Sequence, residues 1–214
     1  MRTKTDAETK GETKGATRGE GTFTRRKRSD QLIDCAIDAI AELGFQGTSV
    51  GEVARRAGVS KGVVTYHFAA KDDLIFAVVA TIFDSIKEAL EAELRGTSPE
   101  AFVADYITAW VHYYRTHTRF MLAIGEIWGN FRDEGGDHHF GPQAVAGELA
   151  VVQYMLELGQ AEGSLGEFDA RVMAITIKAA LDALLSQLAS NPELELEPYG
   201  AELVRVFERA TRKE

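Results

Sequence analysis

The stretch Gly58-Val59-Ser60-Lys61-Gly62-Val63-Val64-Thr65-Tyr66-His67-Phe68-Ala69-Ala70-Lys71 decides how this chain is read. Between its first glycine and its paired alanines there is room for only about one and a half turns of helix. Two adjacent β-branched valines make it a poor helix by itself, because their χ1 freedom is restricted against the preceding turn. Ser60 stands where an N-cap is wanted. Val59, Val63, Val64 and Phe68 would face inward, leaving Lys61, Gly62, Thr65, Tyr66 and His67 on an outward face that is small or hydrogen-bonding. A core has little use for such a helix, so its neighbours must support it.

Those neighbours are legible upstream. From Asp30 a helical period sets in, with Ile33, Ala36, Ile37, Ile40 and Leu43 as one stripe. Gly44 ends it and Gly47 loosens the connection. Ser49-x-x-Glu52 has the spacing of a capping box for a second helix, with Val50, Val53, Ala54 and Ala57 as its apolar positions and Gly58 as its stop. Helix, glycine turn, short helix is the helix-turn-helix pattern. Many such pairs are merely structural, but three features point to DNA. The outward residues of the short helix can hydrogen-bond to bases, no acidic residue lies between Arg55 and Lys71, and four adjacent cations, Arg25, Arg26, Lys27 and Arg28, precede the first helix. In this geometry the N-terminal residues of the second helix of the pair read base edges, while flanking cations and hydroxyls hold phosphates. Arg55 and Arg56 either touch the backbone or are solvated.

Thr48-Ser49-Val50-Gly51-Glu52-Val53-Ala54, Ala57 to Gly62, and Tyr66-His67-Phe68-Ala69-Ala70-Lys71-Asp72-Asp73-Leu74 resemble the N-terminal domain of the TetR family of transcriptional regulators. The resemblance covers roughly residues 29–78. Val63 stands where that family commonly has Thr, and Thr65 where it commonly has Tyr, both at positions that commonly face DNA. The resemblance implies Lys61, Gly62 and Thr65 near base edges, with Tyr66 and His67 near phosphates. It implies that Lys71 reaches a phosphate from the start of a fourth helix, and that Ser49 or Thr48 does so from the second. Ser60 joins this DNA-facing set. For His67 a partly buried packing role stays open.

The rest of the chain has a different charge. Residues 1–75 hold 13 Lys/Arg against 11 Asp/Glu, residues 76–214 hold 11 against 22, and the whole carries a formal −9. Such asymmetry suggests two jobs. We expect an all-α chain in three parts: a disordered tail over 1–22, polar throughout after Met1, a DNA-binding unit over 23–72, and a ligand-binding and dimerisation unit over 73–214. A helix over 71–95 would run roughly 37 Å and join the last two. Further helices are expected near 98–115, 117–133, 142–161, 167–190 and 198–212.

Aromatic and apolar residues concentrate where a bundle could hold a small molecule: Phe83, Trp110, Tyr114, Phe120, Met121, Ile124, Trp128 and Met155, with Glu126 as a polar group either in the pocket or facing solvent. Plain core is the alternative for each. The segments 167–190 and 198–210 carry more apolar face than one bundle needs, notably Val172, Ile175, Thr176, Ala179, Ala183, Leu184, Leu203, Val206, Phe207 and Ala210. A two-fold dimer through these last two helices is expected, as the resemblance also implies.

No nucleophile triad, phosphate loop or zinc-protease motif is present, so neither an enzyme nor a cofactor is expected. Asp137-His138-His139 has metal-ligand character, but adjacent histidines need not converge on one ion. The lone Cys35 and the lack of an 18-residue apolar run point to a reducing, cytoplasmic setting without membrane insertion. The expected function is a ligand-responsive regulator, a repressor on a palindromic operator. The rival is a dimeric helical ligand-binding or interaction protein without sequence-specific DNA recognition.

Overall fold

A computed structural model of the chain describes residues 18–132, 135–140, 142–191 and 193–213. The described residues form helices joined by short turns: α1 Arg18–Gly47, α2 Val50–Arg56, α3 Lys61–His67, α4 Lys71–Glu93, α5 Phe102–Thr116, α6 Thr118–Asn130, a 3-10 turn Pro142–Val145, α7 Ala146–Glu162, α8 Ala170–Ser190 and α9 Leu196–Thr211. Among them no helix is long and apolar enough to cross a membrane. The expected all-α architecture is what the chain adopts.

The first helix begins earlier than its apolar period. It takes in Arg18 to Arg28, so residues 18–22, expected in the tail, are helical, and the cation run forms helix turns rather than a loose arm. Arg and Lys are good helix formers. Local contacts one turn apart support them here: Lys27 lies over the Phe23 ring at 4.6 Å, and Arg28 donates to Gln31 at 2.6 Å. The expected disorder of 1–17 lies outside the described residues. The buried stripe of α1 is Leu32, Ala36, Ile37, Ala39 and Ile40, with Leu43 on the surface instead. Gly44 kinks the helix at φ 74°, a left-handed conformation that a side chain disfavours.

Ser49 caps α2 by accepting from the Glu52 backbone N–H at 3.1 Å. The Glu52 carboxylate does not return to Ser49. It holds Arg55 and Arg56 instead, and these arginines draw its pKa down to about 2. Gly58 closes the turn at φ 65°. Val64 and Phe68 are buried and Val59 and Val63 half-buried, so α3 is held by one face, packed against α2, as its pattern requires. Ser60 precedes α3 in extended backbone, but its side chain caps nothing.

Helix α6 does more of the joining than sequence suggests. Its most extensive packing is against α1. Arg119 donates to Asp38 at 2.7 Å and to Asp34 at 2.9 Å, and Glu126 accepts from the Phe45 backbone N–H at 3.0 Å. The helix α4, about 34 Å long, runs from α1 to α5 and α6. Farther along, α7 lies on α8, and α9 lies on α5, where Gly200 fits against Val111 so closely that a Cβ would sit 2.7 Å from it.

Candidate DNA interface and ligand cavity

Lys61, Gly62, Thr65 and Tyr66 form one exposed face of α3, with Tyr66 68% exposed. The Thr65 hydroxyl donates back to the carbonyls of Lys61 and Gly62, as a solvent-facing threonine does in a helix. Arg25 lies over the Tyr66 ring at 5.2 Å, which brings the cation run of α1 alongside α3. None of Arg25, Arg26, Lys27 and Arg28 is in a salt bridge among the described residues. Arg55 and Arg56, by contrast, are bound by Glu52 and Glu42, which favours the solvated, non-phosphate reading of them. His67 is half-buried, and its pKa is lowered by burial first and then by Arg25 and Arg28. Ser49 and Ser60 are exposed at the starts of α2 and α3.

Two residues expected at phosphates have partners within the chain. Thr48 is only 3% exposed and its hydroxyl donates to the Gly44 carbonyl at 2.9 Å, because it closes the loop after the kink. Lys71 donates to the Phe45 carbonyl at 3.1 Å and lies over the Phe45 ring at 4.4 Å; burial lowers its pKa. Both residues help build the junction between α1, α2 and α4: the Thr48 hydroxyl gives its one donor to Gly44, while the Lys71 ammonium gives one of its three to Phe45.

A cavity of about 890 Å³ lies among α4, α5, α6, α7 and α8. Phe83, Trp110, Met121, Ile124, Trp128 and Met155 line it as expected. Three expected members do not. Tyr114 is fully buried and donates to the Leu181 carbonyl, so it belongs to the core. Phe120 packs with His117 and under Arg119. Glu126 points to Phe45 on the opposite side of α6, which corrects both placements offered for it. The helical period separates the two jobs of α6: residues 121, 124, 125 and 128 share the cavity face, while 119, 126 and 130 fall on the other.

The polar end of the cavity was missed in the sequence. Tyr106 and Trp110, both on α5, donate to the same oxygen of Glu148 on α7, and burial is the first cause of that carboxyl's raised pKa. Lys178 pairs with Asp182 one turn on and lies over the Trp110 ring at 5.2 Å. The one available signal was this Lys/Asp pair interrupting the apolar run of α8. Nothing local marks Glu148, since α7 meets α5 only through tertiary packing.

His138 and His139 diverge: Nδ1 of His138 lies 2.8 Å from the Trp128 carbonyl, and His139 packs among Phe76, Phe131 and Phe140. Among the described residues no three His, Cys, Asp or Glu side chains converge on a point that could hold a metal.

Residues 32–78 match the sequence profile described as bacterial regulatory proteins, tetR family. Over 101 residues the chain is 36% identical to the HTH-type transcriptional regulator BetI of Escherichia coli, which is 47% of this chain and 51% of that protein. The Klebsiella pneumoniae BetI is 31% identical over the same number of residues and also shares 51% of its length. The chain thus spans about half the length of the curated relatives it matches. The fold extends over nearly all of the chain. A TetR transcription regulator from Haloarcula marismortui superposes with a TM-score of 0.73 at 16% identity, covering 88% of this chain and 100% of that one. The regulator FadR of Bacillus subtilis, solved in complex with stearoyl-CoA, does so with 0.70 at 19% identity, covering 83% and 96%.

Proposed function

We propose that this chain, whose residues 32–78 match the profile of the tetR family of bacterial regulatory proteins, is a ligand-responsive repressor of that family, binding a palindromic DNA operator as a homodimer. The carrying observation is the exposed face of Lys61, Gly62, Thr65 and Tyr66 on a short, well-supported helix, flanked by four cations that are in no salt bridge among the described residues. Surface lysines and arginines are usually drawn to nearby acids, as Arg55, Arg56 and Arg119 are here. A cation run left open beside a hydrogen-bonding helix face fits phosphates beside base edges.

The effector site is the cavity between α4 and α8. The FadR relative binds an acyl-CoA in its crystal. That likeness is one of fold, and the polar end of this cavity differs in chemistry from what an anionic ligand would want. Occupancy reaches DNA through α6, whose cavity face and α1 face are opposite sides of one rigid element. A second route runs beside it: Trp128 stacks on Phe140 at 5.0 Å, Phe140 meets Phe131, and Phe131 lies 5.7 Å from Phe45 at the α1 kink. A ligand shifts the equilibrium only by its unequal affinity for the DNA-bound and released states.

The test is to compare a duplex enriched from a random pool with its shuffled copy, at one salt concentration. Lys61→Ala or Tyr66→Ala should reduce that discrimination by about 1–3 kcal/mol, with melting unchanged because both side chains are exposed. Discrimination that survives both substitutions would remove α3 from recognition and favour the ligand-binding rival.

A further inference from the structure

We infer that the cavity takes an organic cation, an amphipathic molecule with an ammonium or comparable head seated at Glu148 and an apolar body against Phe83, Met121, Trp128 and Met155. This rests on the cavity being the effector site and names the chemistry it selects.

The charges lining the cavity are Asp84, Glu91, Glu148 and Asp182 against Lys87 and Lys178. Both lysines are paired: Lys178 with Asp182, its charge also reaching Glu148 and lowering that carboxyl's pKa against the effect of burial, and Lys87 with Glu91 at 3.8 Å. Asp84, exposed on α4, and Glu148, half-buried on α7, are the two carboxylates left without a cationic partner in a salt bridge among the described residues. The lining therefore carries a residual negative charge in an otherwise apolar and aromatic space.

Glu148 is also held in a way that leaves it available. Tyr106 and Trp110 both donate to Oε1, fixing the carboxylate against the α5 rings, while Oε2 has no hydrogen-bond partner among the described residues. The aromatic surroundings contribute too, since ring faces attract cations once water is excluded. A ligand carboxylate would face Glu148 at this end. It would have to share Lys178 with Asp182. A neutral ligand would gain nothing from the Glu148 charge and would favour the protonated carboxyl, the direction in which burial already pushes it.

The readout is built into the chain: its two tryptophans, Trp110 and Trp128, both line the cavity, so intrinsic fluorescence reports on occupancy. The probes are octyltrimethylammonium, N,N-dimethyloctanamide and octanoate, each titrated into the full chain and followed by fluorescence and calorimetry. The cation should bind about tenfold more tightly than the amide, with octanoate weakest. Glu148→Gln keeps an acceptor for Tyr106 and Trp110, and should bring the cation level with the amide while amide affinity stays within about twofold. Asp84→Asn, on the exposed side of α4, should weaken the cation about twofold and make that loss salt-dependent. If the amide or octanoate binds as well as the cation, the cation assignment is overturned and the effector cavity stands. If none of the three perturbs either tryptophan, the assignment and the effector-cavity reading fall together.

Discussion

Phe45 is the residue at which the two halves of the molecule are tied. Its N–H is held by Glu126 from α6, its carbonyl by Lys71 from α4, and its ring by Phe131 and the Lys71 ammonium. The left-handed Gly44 before it makes that approach possible, since a Cβ there would sit 3.1 Å from the Glu126 carboxylate. A lysine at the start of α4 thus has a structural duty where family resemblance implies a phosphate contact. Lys71→Met should cost about 1–2 kcal/mol in chemical denaturation, because the part-buried Phe45 carbonyl loses its charged donor and keeps only the longer bond from the Thr48 N–H at 3.4 Å. Unchanged stability with weakened DNA binding would restore the phosphate role. The resemblance correctly locates Lys71 but cannot supply its partner, which lies 26 residues away and depends on the kink at Gly44.

At the scale of elements, the pattern over residues 49–68 was legible because each signal in it is local. A serine cap, a glycine turn and an inward valine-phenylalanine set all fall within a few residues of one another. The start of α1 was not legible from its apolar period, because its first turns have no buried face and are held by propensity and one-turn contacts. The aromatic concentration on α5 and α6 lies beside a cavity, yet periodicity does not say which side of α6 faces it, and Glu126 turns to Phe45 rather than to the cavity or to solvent. That side decides function, since α6 touches both the cavity and α1. Glu126→Ala should leave affinity of a cavity ligand for the free protein within about twofold and reduce the ligand's effect on DNA affinity by at least about 1 kcal/mol, out of the 1–3 kcal/mol such couplings usually carry. An unaltered coupling would shift transmission to α4 alone.

For the whole molecule, the apolar surface lies where a second copy could cover it. Val172, Ile175, Thr176, Ala179 and Ala183 are exposed along α8, as are Val206 and Ala210 on α9, with Val151 and Tyr154 of α7 also exposed. Leu184 and Phe207, expected on that surface, are instead buried in the chain's own core. A two-fold pair would present two α3 helices to DNA, so the preferred site should be an inverted repeat with half-sites about one or more helical turns apart. Selection of random duplex DNA by the purified protein, at near-physiological salt, measures this directly. Recognition through α3 predicts an enriched inverted repeat. A pool that stays unenriched, with binding that vanishes steeply as salt rises, would reduce the cations of α1 to a nonspecific anchor and contradict it.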